Sequence, residues 1–312
     1  MKIVFLDRAT LGVPLRAPKF AHEYKEYDAT SNPDDIVSRL ADVEIAVINK
    51  VPMRAATLAK LPKLKLIAVA ATGTDVIDKA YCKEHGIAIS NIRNYAVNTV
   101  PEHTLALIFA LRRSLVPYVL DVRRGKWGEI DQFCYFDHKI RDVSGSTLGL
   151  IGYGALGKSV GSRAEAFGMK VIATDVYDFP GKVDLDTILR ESDIISLHCP
   201  LTDGTRNIIG AAEFKKMKND AILINTARGG LVDEVALANA LKNGEIGGAG
   251  FDVLTIEPPK EGNVLLETDL PNLLITPHVA WASHEAMTGL ANQLVDNIEA
   301  WVDGSPRNLV TE

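Results

Sequence analysis

Short apolar runs recur along the chain, with segments of helical composition between them. Lys2–Leu6, Glu44–Asn49, Leu64–Ala70 and Ile87–Ser90 are too short for buried helices and read as strands. A second series follows at Thr147–Ile151, Lys170–Thr174, Asp193–Leu197, Ala221–Asn225, Gly248–Val253 and Leu273–Thr276. Strand and helix alternate, which predicts an α/β protein with two mostly parallel, doubly wound sheets.

Between the two series, Thr99-Val100-Pro101-Glu102 has the form of a capping box with proline in the first turn. It predicts a long helix carrying Leu105, Ile108, Phe109, Leu111 and Leu115. A last helix, Ser283 to Val302, places Met287, Leu290, Leu294, Ile298 and Trp301 three or four residues apart. Two such helices can carry the chain out of one domain and back. The expected division is therefore a discontinuous domain, 1–98 plus 283–312, with an inserted domain, 99–282. There is no internal repeat and no low-complexity segment.

Composition narrows the function. A length of 312 residues suits two domains, and 47% hydrophobic with 24% charged residues is a globular rather than a disordered balance. The 34 Lys and Arg against 40 Asp and Glu give a net charge of −6, which supplies no basic footprint for nucleic acid. No apolar run reaches the ~18 residues that a membrane span needs. Met1 to Leu6 runs straight into Asp7 and Arg8, so an opening strand is expected rather than a signal peptide. Cys82, Cys134 and Cys199 lie far apart without CxxC pairing, the usage of reduced thiols in a cytoplasm. Small polar molecules are the expected partners.

The strand Thr147–Ile151 leads directly into Gly152-Tyr153-Gly154-Ala155-Leu156-Gly157 and then a helical segment. Gly152 permits the tight turn, Gly154 lets a pyrophosphate approach the backbone, and Gly157 allows close packing of helix and strand. The amides and dipole of the helix start attract phosphates. The next strand ends in Asp175, whose carboxylate suits ribose hydroxyls and repels a 2′-phosphate. No arginine follows among Val176, Tyr177 and Asp178, so NAD is expected over NADP.

Three ionisable residues follow three strands of the same sheet: Arg228 after Ala221–Asn225, Glu257 after Gly248–Val253, and His278 after Leu273–Thr276. Ligands in open α/β sheets bind beyond the carboxyl ends of the strands. Arg228 offers a fork of donors to a carboxylate or a polarised carbonyl. His278 can move a proton near neutral pH, and Glu257, if it reaches the ring, would orient it and favour its protonated form. His198, beside Cys199-Pro200, is expected to shape a loop over the adenine. His22, His85, His103, His138 and His284 stand in segments without evident converging partners. No metal-site spacing and no GxSxG motif is present.

Taken together, Gly152–Gly157 with Asp175, Asn225-Thr-Ala-Arg-Gly-Gly230, Asp252-Val-Leu-Thr-Ile-Glu-Pro258 and Thr276-Pro-His278 resemble the D-isomer-specific 2-hydroxyacid dehydrogenases. The resemblance covers essentially the whole chain. It implies a Rossmann NAD-binding domain inserted in a flavodoxin-like substrate domain. It also implies that Arg228 binds substrate and that Glu257 and His278 form an acid/base pair. Asp252 would then sit near the nicotinamide, and Cys199, Pro200, Thr205, Thr226, Ala227 and His278 are expected among the residues that bind the cofactor. Ala71-Thr72-Gly73-Thr74-Asp75 resembles the loop whose amides hold the substrate carboxylate, and Lys50 is a nearby cation; by composition alone these are a βα turn and a strand-end lysine. Asn94–His103 and Phe133–Phe136 look most like the glycerate dehydrogenase, or hydroxypyruvate reductase, branch. Glu257 departs from the glutamine of formate dehydrogenases. The end at Glu312 leaves no room for the regulatory domain of long phosphoglycerate dehydrogenases.

The family suggests a homodimer through the NAD-binding domain. Trp127 to Phe136 is then either an arm onto the partner or an internal aromatic cluster. The expected activity is NADH-linked reduction of small 2-keto acids, hydroxypyruvate first and glyoxylate next. An NADH-sensing corepressor or a phosphite dehydrogenase resembles the same site.

Overall fold

The computed structural model describes residues 1–310, so the last two residues of the expected substrate domain lie outside it. The chain forms two compact units, Met1–Ala96 with the chain from Ala282 onward, and Val97–Trp281. The junctions fall slightly before the expected 98/99 and 282/283. Residues 97 and 98 are tied to the second unit, because Ser159 Oγ donates to the Val97 carbonyl (2.7 Å) and Arg163 to Asn98 Oδ1 (2.8 Å).

The first unit holds a parallel sheet of β1 (Lys2–Phe5), β2 (Glu23–Glu26), β3 (Ile45–Ile48), β4 (Leu66–Val69) and β5 (Ala88–Ser90). Its order is β2-β1-β3-β4-β5, the flavodoxin-like arrangement. Alternate residues Val4, Leu6, Ala46, Ile48, Ile67 and Val69 share one core with Ile36 and Leu40 of α1 (Pro33–Leu40). Leu58 of α2 (Ala55–Leu58) and Cys82 of α3 (Lys79–Glu84) complete that face. The period of two leaves Ile3, Phe5, Ile45, Val47 and Leu66 to be buried on the opposite face. The sequence pattern missed β2, whose Glu-Tyr-Lys-Glu is exposed throughout; it is an edge strand paired only with β1. Charged side chains suit such an edge because they discourage pairing with another chain.

The second unit contains α4 (Thr99–Arg112), α5 (Leu115–Arg123), β6 (Thr147–Ile151), α6 (Ala155–Ala166), β7 (Lys170–Thr174), α7 (Leu185–Glu191), β8 (Ile194–Leu197), α8 (Ala211–Phe214), β9 (Ile222–Asn225), α9 (Glu234–Lys242), β10 (Gly248–Phe251) and β11 (Leu273–Ile275). The six strands are parallel, in the order β11-β10-β9-β8-β6-β7. Leu148, Leu150, Ile194, Ile222 and Ile224 pack on Leu105 and Ile108 of α4 and Val160 and Ala164 of α6. Ile195, Leu197, Leu223 and Phe251 pack on α7 and α9 through Ile188, Leu189, Leu237 and Leu241. The chain passes from β6 outward to β7 and then returns to β8 on the other side of β6. That reversal opens a crevice at the carboxyl ends of β6 and β8. The final helix, α10 (His284–Val302), packs on β4 of the first sheet, with the Ser283 hydroxyl capping it at the Ala286 amide.

The helix beginning at Thr99 differs from expectation in two ways. Asn98, not Thr99, is its N-cap residue; the Thr99 hydroxyl is committed to the Ala280 carbonyl at 3.0 Å, so no capping box forms. It also stops at Arg112, because Ser114 adopts a left-handed backbone (φ 48°) and Leu115 starts α5. Among the described residues no helix is long and apolar enough to cross a membrane.

Candidate active site

The glycine turn after β6 is dictated by space. Gly152 has φ 98°, and a Cβ there would lie 2.5 Å from the Cys199 amide nitrogen. A Cβ on Gly157 would lie 2.1 Å from the Gly152 carbonyl oxygen, so the first turn of α6 sits directly on the loop. A Cβ on Gly154, the N-cap of α6, would meet nothing within 4 Å. Bare backbone and open space at a helix start fit a dinucleotide pyrophosphate, with the Ala155 and Leu156 amides in the first turn. Asp175 follows β7, accepting from the Tyr153 amide (2.6 Å) and the Tyr177 amide (3.3 Å). Its carboxylate is thereby fixed beside the glycine turn.

Across the crevice, the His198 amide donates to the Ile151 carbonyl (2.7 Å), while Ser196 Oγ and His198 Nε2 lie 2.9 Å apart. Burial pushes the His198 imidazole down to about 4, so it is neutral at pH 7 and is a structural group rather than a proton donor. Cys199 and Pro200 come next. The Thr205 hydroxyl donates to the Pro200 carbonyl (2.7 Å) and accepts from the Thr202 amide (2.8 Å), closing the loop on itself.

The three ionisable residues are brought together by contacts between loops. Gly229 is pressed against the β10 loop; a Cβ there would lie 2.0 Å from the Leu254 carbonyl carbon. Arg228, immediately before it, is held by Asn225 Nδ2 donating to its carbonyl (2.8 Å) and by its own Nη1 donating to the Ala227 carbonyl (2.8 Å). Glu257 turns back so that Oε1 accepts from the Leu254 amide (2.8 Å), and its Oε2 lies 2.6 Å from His278 Nδ1. Both side chains are about a quarter to a third exposed, 24% for His278 and 32% for Glu257. The pair is ordered at Nδ1 yet reachable by solvent or substrate. His278 has φ 55°, and its carbonyl accepts from Trp281 Nε1 at 3.0 Å.

What holds His278 in that conformation is Asp252. Its carboxylate, 1% exposed, accepts from the Thr276 hydroxyl (2.5 Å), the Val279 amide (2.9 Å) and the Ala280 amide (2.8 Å). His103 was expected to lack partners, yet Nε2 lies 2.9 Å from Thr276 Oγ1 and 3.7 Å from Asp252 Oδ1. His138 also finds a carboxylate, Asp121 Oδ2 at 2.8 Å, away from this cluster. The Thr226 and Thr104 hydroxyls share a hydrogen bond of 3.0 Å, which binds the β9 loop to α4, and the Ala227 amide donates to Asn225 Oδ1 (3.1 Å).

In the first unit the other predicted residues stand at one edge of its sheet. Lys50 follows β3, and its amide donates to the buried carboxylate of Asp7 at 2.7 Å. Desolvation raises the Asp7 pKa, the Lys50 and Asn49 amides opposing it. Thr72, Gly73 and Thr74 follow β4; the Thr72 hydroxyl donates to the Ile92 carbonyl (2.7 Å) and Asn91 Nδ2 to the Thr72 carbonyl (2.8 Å).

Residues 105–280 match the model of the D-isomer specific 2-hydroxyacid dehydrogenase NAD binding domain. The chain belongs to the D-isomer-specific 2-hydroxyacid dehydrogenases. The enzyme is an NAD-dependent member of that family, and its fold is the pairing of a Rossmann domain with a flavodoxin-like domain. It is 66% identical to a glycerate dehydrogenase from Methylorubrum extorquens over 99% of this chain and 98% of that one. A hydroxypyruvate reductase from Blautia hydrogenotrophica is 36% identical over the full length of both chains. The solved D-lactate dehydrogenase with NAD+ from Lactobacillus jensenii superimposes with a TM-score of 0.79 at 29% identity, covering both chains fully.

Proposed function

We propose that the enzyme reduces hydroxypyruvate, and less well glyoxylate, to D-glycerate and glycolate in the cytoplasm, as a homodimer. The observation that carries the reading is the Glu257–His278 contact of 2.6 Å, with the loop that carries Glu257 packed on the bare backbone of Gly229, next to Arg228. NADH, when bound, supplies the hydride for the keto carbon. His278 gives the carbonyl oxygen its proton from Nε2, since Nδ1 is engaged by Glu257, and the proton is replaced from solvent. Glu257 fixes the ring and offsets the imidazolium charge. Arg228 holds the substrate carboxylate and polarises the carbonyl. By resemblance to the family, the Thr72–Thr74 amides and Lys50 are assigned to substrate binding, and Asp252 positions His278 through its loop.

Residues for the cofactor divide by chemistry. Gly152, Gly154, Ala155, Leu156 and Gly157 receive the pyrophosphate and Asp175 the adenosine ribose. Cys199, Pro200 and Thr205 line the adenosine side, and Thr226, Ala227 and Asp252 the nicotinamide side with His278. The order of substrates follows from charge and from the relatives named above. The loop Val69–Asp75 carries no Lys or Arg for a phosphate, which favours an uncharged side chain.

The homodimer reading draws on the second unit. None of α5 is buried, and Leu115, Val116, Val119, Leu120 and Val122 are all exposed. The segment after it is anchored by the Tyr118 hydroxyl donating to the His138 carbonyl (2.8 Å) and by Trp127 Nε1 donating to the Phe133 carbonyl (3.0 Å). Tyr135 packs inward on Tyr118, whereas Phe133 and Phe136 are 88% and 83% exposed. Internal packing thus accounts for Tyr135 and leaves Phe133, Phe136 and the exposed Trp127 for a partner surface.

The test is a comparison of kcat/KM for hydroxypyruvate, glyoxylate, pyruvate and 3-phosphohydroxypyruvate with NADH at one pH. Hydroxypyruvate is expected to lead. A tenfold preference, about 1.4 kcal/mol, for pyruvate or the phosphorylated acid overturns the substrate choice. NADH binding without turnover of any of the four would indicate a sensor, and NAD reduction by phosphite a phosphite dehydrogenase.

A further inference from the structure

The loop from Thr276 to Ala280, with His278 at its centre, is gripped from α4 as well as from Asp252. Thr99 and His103 stand one helical turn apart on α4 and so share a face of it. The Thr99 hydroxyl donates to the Ala280 carbonyl at 3.0 Å, and His103 Nε2 lies 2.9 Å from Thr276 Oγ1. A single turn of helix thus holds both ends of the loop. The same turn is itself tied down, because the Thr104 hydroxyl bonds Thr226 in the loop that leads to Arg228. All of these residues belong to the second unit.

The chemistry at Thr276 fixes the direction of the His103 contact. A threonine hydroxyl has one proton to give, and here it goes to Asp252 Oδ1 at 2.5 Å. Toward His103 the oxygen can therefore only accept, so Nε2 carries a proton. That nitrogen is 3.7 Å from Asp252 Oδ1, too far for a hydrogen bond, and His103 acts on the carboxylate through the threonine. A neutral ring protonated at Nε2 and the imidazolium both make this bond, so the contact asks for a donor and not for a charge. Without it, Thr276 Oγ1 loses its outer partner, and the link from Asp252 to the residues before His278 is no longer held in one orientation.

We infer that His103, with Thr99, is a positioning residue for the proton transfer: the two clasp the ends of the His278 loop and keep Nε2 of His278 aimed at the carbonyl oxygen of the substrate. The inference rests on the role of His278 as proton donor given above. His103 touches neither substrate nor cofactor in this scheme, and its effect on the rate passes through His278.

His103→Leu removes the donor, whereas His103→Gln places an amide nitrogen near the position of Nε2. Both are assayed for kcat and KM with hydroxypyruvate and NADH, and His103→Leu is also combined with His278→Ala. His103→Leu is expected to lower kcat about tenfold, short of the ~10²-fold that ~1 Å of misplacement costs, with KM and NADH affinity within about twofold of the parent. His103→Gln is expected to recover kcat to within about threefold of the parent, because it keeps the donor. On the His278→Ala background the leucine is expected to change the residual rate by less than about twofold, since a residue that acts through the imidazole then has nothing to position. A general loosening of the fold would cost the same factor on both backgrounds, and that result overturns the inference. So does a parental kcat in His103→Leu, or a glutamine variant as slow as the leucine one. Should His103→Leu not fold, Thr99→Val removes the other donor at nearly the same shape and takes its place in the cycle. A His278→Ala enzyme at the parental rate would overturn the proton-donor reading itself; a slow His278→Ala beside an unaltered His103→Leu overturns the clasp alone.

Discussion

A histidine at φ 55° occupies a conformation that costs a non-glycine residue about 1–3 kcal/mol and persists only where its surroundings enforce it. Here Asp252 enforces it, accepting from the Thr276 hydroxyl before the histidine and from two amides after it. A buried carboxylate with three donors is a rigid anchor, because releasing any of them would leave a charge poorly solvated. Backbone and ring are therefore fixed separately, the first by Asp252 and the second by Glu257. Removing the imidazole should disturb chemistry and spare the cofactor turn, which is built from β6, α6 and β7. In His278→Ala, turnover of hydroxypyruvate is expected to fall ~10²–10⁴-fold, the usual worth of a positioned proton donor. NADH affinity, followed by fluorescence titration, is expected to remain within about twofold of the parent, under 0.5 kcal/mol. Retained turnover would remove His278 from the proton transfer.

Loops rather than helices or strands bring the site residues into register, and that explains what was legible in the sequence. The strand ends bearing Arg228, Glu257 and His278 could be read from apolar runs, and so could Gly152 to Gly157 with Asp175. His103 could not, because its partners Thr276 and Asp252 lie more than 140 residues away and no local pattern on α4 marks the face it occupies. β2 escaped for the opposite reason, since an edge strand buries nothing and needs no apolar alternation. Loop contact also predicts a sensitive position. Alanine at Gly229 would drive the 229 and 254 backbones apart, a strain of about 1–3 kcal/mol. The same shift displaces Arg228 relative to the Glu257–His278 pair, and ~1 Å of misplacement costs ~10²-fold in rate. Gly229→Ala is therefore expected to lower kcat/KM for hydroxypyruvate about 100-fold at unchanged NADH affinity; an unaltered rate would mean that the two loops move independently. The β8 end carries a pH effect. Unfolded His198 takes up a proton near 6.5, whereas the folded residue does so only near 4, so acid favours the unfolded chain between those values. Stability from this group is full above pH 6.5 and is lost as pH falls toward 4. In the apo-enzyme, His198→Gln is expected to flatten the fall of Tm across that window, and parallel curves for parent and variant would contradict the assignment.

At the scale of the whole molecule, the two sheets solve different problems with the same parallel βαβ grammar, and one surface is left without a solution inside the chain. Every helix of the second unit buries at least one apolar side chain except α5, whose nine residues bury none. A helix of that length is marginal in water by itself, and its exposed leucines and valines forgo the ~25 cal/mol per Å² that burial would supply. Phe133 and Phe136 add two aromatic rings in the segment pinned to α5 by Tyr118. A patch of this composition suits a twofold interface, in which the same surface meets itself. Val119, 40% exposed on α5, is a position where a charge would do little harm to a lone chain. In the middle of an interface the same charge would be buried without a partner, at a cost of several kcal/mol counted twice by symmetry. Light scattering at micromolar concentration is expected to give twice the 33.9 kDa chain mass for the parent and the single mass for Val119→Glu. The variant's far-UV circular dichroism is expected to match the parent's, showing that the loss is of association and not of fold. A parent that scatters as a single chain would overturn the dimer, and a Val119→Glu protein that remains double would move the interface away from α5.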